Sequence, residues 1–562
     1  MSFETMLRTC RRPGRLARIL TSAGCLGLLL AAPGFGAGPR FYPDDPLWVD
    51  RDSVRDARGA HEREMSETVD LLLNSFVRGG GEDPGRAHNV NTVDEVPDSS
   101  WFTNRIGRRP MSMDEIVRGP DIVARLDVRD WVVVDGKGAP GFQPGFRAID
   151  PRTNQLYQLE VDMERYPELA SGAEMIGTTI YHAIGFNVVD VYLVDVDPEA
   201  LRIADTATIK DARGRRRLVR ADLDNVFRQA ARNADGTYRM TAGRFVEGEP
   251  MGPFTHYGTR PDDPNDIHPH EHRRELRANR VFCAWINHDD SRAPNTLDLR
   301  VGPDGAQWIR HYIFDFGATL GSTPGNWWSG RAYMLEIDGI WRRLATLGFP
   351  VEPWQRSNDP RRLPAAVGRF GSESFEPDGW KPEYPNRAFD NMRADDAFWG
   401  ARIVSRFSDE AIRAVVAKAR YSDPAVARHI GDALIERRNR IMRAWLTGVN
   451  PIVDPLLSAD GTLTFENAAV SAGVATAPVE YRLQWSRFDN ATDTATGAAV
   501  EARATEPHAA APGALLSGSE FLTVAIETSH PDYPHWILPV RAYFRRAAAG
   551  GWDTVGLERT LR

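Results

Sequence analysis

This sequence has few cysteines, no net positive charge and few long apolar runs, and each of these features excludes a class of protein. Only three cysteines occur in 562 residues, and Cys10 and Cys25 lie in or near an N-terminal leader. Cys283 is then alone in the mature chain, which excludes an intramolecular disulfide there. The net charge of −8 provides no basic surface for nucleic acid, so we expect no nucleic-acid partner.

Residues 1–38 have the pattern of an export signal. Arginines between Arg8 and Arg18 precede the apolar run Ile19 to Ala32, and small residues continue through Gly38. The run is too short and too rich in glycine for a transmembrane helix, so we expect no transmembrane segment after removal of the signal. This pattern predicts an exported protein of the periplasm, the cell envelope or the extracellular space. Lipidation at Cys25 is less favoured, because most of the apolar run follows that residue.

The length and the changes in residue pattern predict several domains. At 562 residues the chain is too long for one compact core. Residues 39–130 are predicted to be an N-terminal extension that wraps the core. From Trp131, strands flank the glycine-rich turn Asp135 to Gly145, and an amphipathic helix covers Ala170 to Ile184. The charged stretch Arg202 to Tyr238, with its run of arginines, is most simply a solvated insertion.

The last part of the chain changes from helical to strand-like periodicity. Apolar residues recur at helical spacing from Ala397 to Leu446. Residues 455–562 contain short alternating runs separated by turn residues, which predicts an antiparallel β-sandwich.

The stretch from His288 to Gly317 carries the residues with the clearest chemical meaning. His288, Asp290 and Asn295 form the pattern H-x-D-x-x-x-x-N in a proline-containing loop, and an apolar strand ends at Asp315-Phe316-Gly317. Phosphoryl transfer requires a carboxylate that orients the attacking hydroxyl, and a carboxamide and a second carboxylate that hold metal ions. Each pattern alone is weak, but both in this order are rare by chance. Together they indicate a phosphoryl-transfer site.

These motifs resemble those of the protein-kinase-like fold, and within it the atypical, often exported kinases. The spore-coat-type secreted kinases and the HipA-type kinases are similar in character. The resemblance implies an α+β fold with a two-lobed protein-kinase-like domain, its N-lobe in residues 131–248 and its C-lobe in residues 249–447. The N-terminal extension and the C-terminal antiparallel β-sandwich would flank this domain.

The same resemblance assigns roles to individual residues. Asp290 would be the catalytic base, and Asn295 and Asp315 would be ligands of Mg²⁺. Glu174 would match the glutamate that pairs with the kinase lysine. The implied cofactors are Mg²⁺ and ATP, or another nucleotide. The implied activity is Mg²⁺-dependent transfer of the γ-phosphoryl group to a hydroxyl.

The nucleotide-binding residues include one departure from the kinase pattern. Gly141 and Gly145 of the glycine-rich turn would approach the phosphates, and Glu247 lies in the expected adenine-binding hinge. The strand before the Glu174 helix should carry a lysine, but Glu160 stands there, and a carboxylate repels phosphate. Lys137 in the glycine-rich turn could supply the missing charge, as in a family of kinases with a relocated lysine.

Two functions of other classes remain as alternatives. If Lys137 is only a solvated loop residue, the domain is a catalytically inactive pseudokinase that acts as a binding scaffold of the cell envelope. If His268, His270 and His272 bind a divalent metal, the protein is a metal-dependent hydrolase, although alternate residues on a helix point to different faces. The sequence does not favour a protein, a glycan or a small molecule as the acceptor.

Overall fold

The structure, a computed structural model, has a mixed α+β fold. It describes residues 38–76, 83–137, 143–211, 213–323, 325–326, 328–335, 344 and 363–562. These residues form four β-sheets and eleven α-helices. The predicted export signal, apart from Gly38, lies outside the described residues, as does Gly141.

The N-terminal segment, residues 38–130, contacts several distant parts of the chain. It contains helices α1 (Glu67–Phe76) and α2 (Met113–Arg118), and a capping box between Ser112 and Glu115 begins α2. Phe102 forms a β-bridge with Phe186. Near the C-terminus, the Leu557 N–H donates to the Thr92 carbonyl at 2.8 Å.

A seven-stranded sheet follows, with strand order β4-β7-β3-β2-β1-β5-β6. Its neighbouring strands are antiparallel except for the parallel pair β1 and β5. The strands are β1 (Val132–Gly136), β2 (Gly145–Asp150), β3 (Gln155–Val161), β4 (Val191–Val196), β5 (Arg202–Asp211), β6 (Gly214–Arg217) and β7 (Tyr238–Arg244). In β3, Tyr157, Leu159 and Val161 face the core, so the intervening Glu160 faces away from it.

The charged stretch predicted to be a solvated insertion instead forms part of this sheet. Strands β5 and β6 pair as a hairpin at its edge, and helix α4 (Arg220–Phe227) follows. The side chains of β6 are exposed. An edge strand of exposed arginines protects the sheet from pairing with another chain.

Helix α3 (Leu169–Ile184) connects β3 to β4 and is buried along most of its length. The Asp162 carboxylate accepts hydrogen bonds from the Ala170 and Ser171 N–H groups at 3.0 and 2.9 Å. A negative charge at this end of a helix is favourable, because the first N–H groups have no partner within the helix. At Gly177, an added Cβ would lie 2.6 Å from the Phe316 Cβ, so glycine permits close packing of α3 against Asp315-Phe316-Gly317.

The next part of the chain is mainly helical and carries a three-stranded antiparallel sheet. The sheet has the order β10-β9-β8, with β8 (Glu249–Pro250), β9 (Thr296–Val301) and β10 (Trp308–Ile313). The helices are α5 (Arg274–Ile286), α6 (Arg387–Asp390), α7 (Ala394–Ser405), α8 (Asp409–Lys418) and α9 (Pro424–Ile441), which continues into a π-helical turn over Met442–Leu446. Their apolar faces and that of α3 share one hydrophobic core.

The C-terminal residues form two antiparallel sheets. One has the order β11-β12-β15 and the other β14-β13-β16-β17-β18. The strands are β11 (Ile452–Leu457), β12 (Thr462–Asn467), β13 (Glu480–Asp489), β14 (Thr494–Ala504), β15 (His508–Ala510), β16 (Phe521–Ser529), β17 (Val540–Arg546) and β18 (Trp552–Arg559). The short helices α10 (Ala468–Ser471) and α11 (Gly513–Leu516) lie between them in sequence. Side chains from both sheets form a single buried cluster that includes Leu463, Trp485 and Val524.

No helix in the described part of the chain combines the length and the apolar character needed to cross a membrane.

Candidate functional site

The loop that follows α5 is held in a compact conformation by its own hydrogen bonds. The Arg292 N–H donates to the Asp290 carbonyl at 2.9 Å, and the Asn295 N–H donates to the Arg292 carbonyl at 3.0 Å. The Asn295 side-chain amide closes the loop by donating to the Asp290 carbonyl at 2.7 Å. Asp290 and Asn295 therefore have a fixed relation to each other.

A backbone hydrogen bond joins this loop to the segment that carries Asp315. The Phe314 N–H donates to the Asn295 carbonyl at 3.2 Å. Strand β10 ends at Ile313, and Asp315 adopts the left-handed conformation with φ 64°. Aspartate is one of the few residues that accept this conformation readily. The structure thus brings Asp290, Asn295 and Asp315 to one place.

Charged neighbours surround Asp290. The Arg292 Nε lies 2.5 Å from the Asp290 Oδ1. Burial raises the pKa of Asp290 to about 7 against the opposing charge of Arg292, and the negative charges of Glu383 and Asp315 add to the rise. Desolvation by the surrounding protein also raises the pKa of Asp315, while Lys137 and Arg292 oppose it. Asp290 therefore interacts electrostatically with Arg292, Glu383 and Asp315.

Lys137 lies directly after β1 and pairs with Glu160. Its Nζ is 2.6 Å from the Glu160 Oε1. Gly145 of β2 pairs in register with Glu160, and its carbonyl accepts the Lys137 N–H at 3.2 Å. An added Cβ on Gly145 would lie 2.2 Å from the Leu159 carbonyl oxygen and 3.1 Å from the Glu160 Cγ. Glycine at 145 therefore leaves room for the Glu160 side chain that pairs with Lys137.

Glu174 projects from α3 toward the Asp315 segment. Burial raises the pKa of Glu174 to about 8, and the charges of Asp315 and Glu160 add to the rise. The Thr178 hydroxyl donates to the Glu174 Oε1 at 3.3 Å, and the Gly317 N–H also donates to this carboxyl group. The ion partner that the structure gives Lys137 is Glu160 rather than Glu174.

Burial raises the pKa of Glu160 as well, and the charge of Lys137 partly offsets this rise. Asp315 adds to it, which places Glu160 in the same electrostatic cluster. The cluster thus joins residues of the seven-stranded sheet, of α3 and of the loop after α5.

Glu247 lies away from the contacts of this cluster. Strand β7 ends at Arg244, whose Nε is 2.6 Å from the Asp190 Oδ2, and the exposed Glu247 follows in the connection to β8. Within the described ranges, no side-chain hydrogen bond or ion pair joins Glu247 to Asp290, Asp315 or Lys137.

Two of the histidines considered as metal ligands, His270 and His272, contact protein groups through their ring nitrogens. The Nε2 of His270 lies 2.7 Å from the Asp266 Oδ2, and its Nδ1 contacts the Thr255 carbonyl. The Nδ1 of His272 lies 2.6 Å from the Arg277 Nη2. No group of three or more His, Cys, Asp or Glu side chains among the described residues is arranged to hold a metal ion.

His288 serves as a packing residue beside the loop. It is fully buried, and burial lowers its pKa to about 3, with the charges of His256 and Arg292 adding to the effect. Its ring centroid lies 5.2 Å from that of Phe316. The neutral imidazole thus packs against Phe316, the residue that follows Asp315.

The site also contains residues that the sequence patterns did not single out. Glu383 and Arg292 flank Asp290, and Gln143 approaches Gly317, where an added Cβ would lie 3.1 Å from the Gln143 Oε1. Arg292 lies between Asp290 and Asn295 in the sequence, so its presence beside the loop could have been predicted from the motif itself. Glu383 lies far along the chain from every motif residue, and no spacing connects it to the loop.

No protein-family model and no curated protein sequence matches the chain.

Proposed function

We propose that the chain is an exported protein-kinase-like phosphotransferase that moves the γ-phosphoryl group of ATP to a hydroxyl. One observation carries the proposal: the hydrogen bond from the Phe314 N–H to the Asn295 carbonyl brings the H-x-D-x-x-x-x-N loop and Asp315-Phe316-Gly317 together. In this proposal the seven-stranded sheet with α3 forms the N-lobe, and α5 to α9 form most of the C-lobe. The two C-terminal sheets form a β-sandwich that flanks the kinase-like domain.

The environment of Asp290 suits a general base. Transfer forms a bond between the γ-phosphorus and the acceptor oxygen, breaks the bond to the bridging oxygen of ADP, and releases the hydroxyl proton, which Asp290 accepts. A base is most effective when its pKa is close to the working pH, and the pKa of Asp290 is about 7.

The donor set fits Mg²⁺ and a nucleotide. Asn295 and Asp315 provide the carboxamide and carboxylate oxygens that Mg²⁺ prefers. Burial raises the pKa values of Asp315, Glu160 and Glu174, and neighbouring carboxylates add to the rise for Glu160 and Glu174. A divalent cation would favour the ionised form of these groups. When bound, Mg²⁺ neutralises negative charge on the phosphates. Lys137 would contribute a positive charge to the phosphates from its position beside Glu160.

A specific observation favours a second candidate, an inactive pseudokinase that acts as a binding scaffold. The Lys137 ammonium already pairs with Glu160, so phosphate would have to compete with a carboxylate at 2.6 Å. The histidines engaged by Asp266, Thr255 and Arg277 do not favour the metal-dependent hydrolase.

The experiment is thermal unfolding of the chain from about residue 39 with ATP, with and without Mg²⁺. A ligand at a hundred times its Kd stabilises the native state by about 2.7 kcal/mol. We expect a Mg²⁺-dependent increase of the unfolding temperature that Asp315→Ala abolishes. Asp304→Ala, which removes an exposed carboxylate in the turn between β9 and β10, is the matched control.

Lys137→Ala separates the two candidates. Loss of the nucleotide-dependent increase in this variant supports the kinase with a relocated lysine. An increase that survives in Lys137→Ala supports a scaffold that binds nucleotide through other groups. No increase with any nucleotide in the wild-type chain would refute the kinase activity.

A further inference from the structure

Helix α1 of the N-terminal segment packs with its polar face inward. Asp70 and Asn74 are 3% and 6% exposed. The apolar side chains of Val69, Leu72, Leu73 and Phe76 are 51%, 45%, 38% and 59% exposed. An amphipathic helix ordinarily buries its apolar stripe. The contacts of the polar face, rather than apolar burial, therefore determine where α1 lies.

These contacts lead to the loop that carries Asp290. The Tyr384 hydroxyl donates to the Asp70 Oδ2 at 2.5 Å, and the Ala293 N–H also donates to this carboxylate. Asn74 supports Asp70 by donating to its Oδ1 at 2.9 Å. Asp70 thus bonds both to the loop and to the segment that contains Glu383.

Arg292 connects the same elements through its guanidinium group. This group lies between three carboxylates. Its Nε is 2.5 Å from the Asp290 Oδ1, and its Nη1 is 3.4 Å from the Glu383 Oε2. The carboxylate of Glu67, in α1, also contacts Nη1. Glu383 is itself held, since its N–H donates to the Asp289 carbonyl at 2.8 Å. One planar donor group is therefore oriented by α1 on one side and by Glu383 on another.

We propose that Glu67 and Glu383 are positioning residues that hold Arg292 against Asp290, so that helix α1 completes the active site. This inference rests on the proposed function, in which Asp290 orients the acceptor hydroxyl. With either glutamate neutralised, Arg292 loses one of its restraints and can rotate relative to Asp290. Displacement of a reacting group by about 1 Å can reduce a rate roughly a hundredfold.

The expected effect falls on turnover rather than on nucleotide binding. Glu67 and Glu383 lie beside Arg292, which pairs with Asp290, whereas Lys137 is proposed to meet the phosphates and Asp315 to hold Mg²⁺. We expect Glu67→Gln and Glu383→Gln to reduce kcat for Mg²⁺-ATP turnover at least tenfold and to leave KM for ATP unchanged. Because Glu67 is largely exposed, its ion pair contributes little to global stability, and the unfolding temperature should change little.

The experiment combines steady-state kinetics with amide hydrogen exchange. Turnover of Mg²⁺-ATP and exchange of the amides of residues 288–295 are measured for the wild type, Glu67→Gln, Glu383→Gln and the control Glu64→Gln. Glu64 is an exposed glutamate that precedes α1. We expect faster exchange of the loop amides in both test variants and wild-type exchange in Glu64→Gln.

Two results would overturn the inference. One is wild-type kcat and wild-type exchange in Glu67→Gln. The other is a parallel change of kcat, KM and unfolding temperature, which would show general loosening of the fold. If the wild-type chain neither binds nor turns over ATP, the proposed function fails. The exchange data then decide separately whether Glu67 and Glu383 hold the loop.

Discussion

Glu174 provides a quantitative test of the electrostatics of the candidate site. Burial and the negative charges of Asp315 and Glu160 raise its pKa from 4.5 to about 8. The folded protein therefore retains a proton on Glu174 between these pH values, whereas the unfolded chain loses it. Stability falls with rising pH wherever the folded state binds more protons than the unfolded state. The loss begins near pH 4.5 and is complete above pH 8.

The size of the effect follows from the same two pKa values. Ionisation of Glu174 should reduce the free energy of unfolding by about 3–4 kcal/mol between pH 5 and pH 8. Glutamine resembles the protonated carboxyl group and does not titrate. The Glu174→Gln variant should therefore be close to the wild type in stability at pH 5 and more stable than the wild type at pH 8.

The assay is denaturant unfolding at pH 5, 6.5 and 8, with the wild type and the variant compared at each pH. Glu164→Gln is the matched control, because Glu164 is exposed. The difference in unfolding free energy between Glu174→Gln and the wild type should grow with pH, and that for Glu164→Gln should stay constant. A Glu174→Gln difference that is equal at all three pH values would show that burial and the charges of Asp315 and Glu160 do not raise the pKa of Glu174.

Three further substitutions test the packing around the site. Arg274→Met should cost about 3–5 kcal/mol in denaturant unfolding, because it removes a buried cation that pairs with Asp94, Asp395 and Asp396. The exposed Arg413→Met should change stability by less than about 0.5 kcal/mol. Gly145→Ala should reduce the free energy of unfolding by about 1–3 kcal/mol, because its added Cβ meets the Leu159 carbonyl oxygen. Gly513→Ala adds a Cβ that meets no atom, so it should be neutral or slightly stabilising. Equal effects of the two substitutions would contradict the packing argument. Tyr384→Phe should cost about 1–3 kcal/mol by removing the hydrogen bond to the buried Asp70, and no loss would show that α1 is held by other contacts.

Local patterns predicted the elements that carry the site. The apolar periodicity from Ala170 to Ile184 corresponds to α3, Leu169–Ile184, because its apolar residues pack into the core. The apolar run before Asp315 corresponds to β10. His288, Asp290 and Asn295 were predicted to lie in a loop. In the structure this segment is a loop after α5, with Pro294 in a 3₁₀ turn and hydrogen bonds between residues close in sequence.

Tertiary contacts determined what the patterns did not predict. Glu67 and Glu383 reach Arg292 from distant parts of the chain, and no sequence spacing encodes such contacts. Helical periodicity predicts that Val69 and Leu72 of α1 are buried. Hydrogen bonds to Asp70 instead orient the helix with its polar face inward and these apolar side chains exposed. The arginine run was predicted to be solvated and is exposed, yet the backbone of β6 still pairs with β5, because pairing depends on main-chain groups.

The charge balance of the candidate site does not favour stability. Glu160, Glu174, Asp290, Asp315 and Glu383 are carboxyl groups, and the positive charges that face them are Lys137 and Arg292. Neutral residues of similar shape would avoid both the desolvation and the mutual repulsion that raise these pKa values. Carboxyl groups with shifted pKa values are frequent at functional sites. Under the proposed function, a bound cation would add positive charge to that of Lys137, which already pairs with Glu160, and of Arg292, which pairs with Asp290.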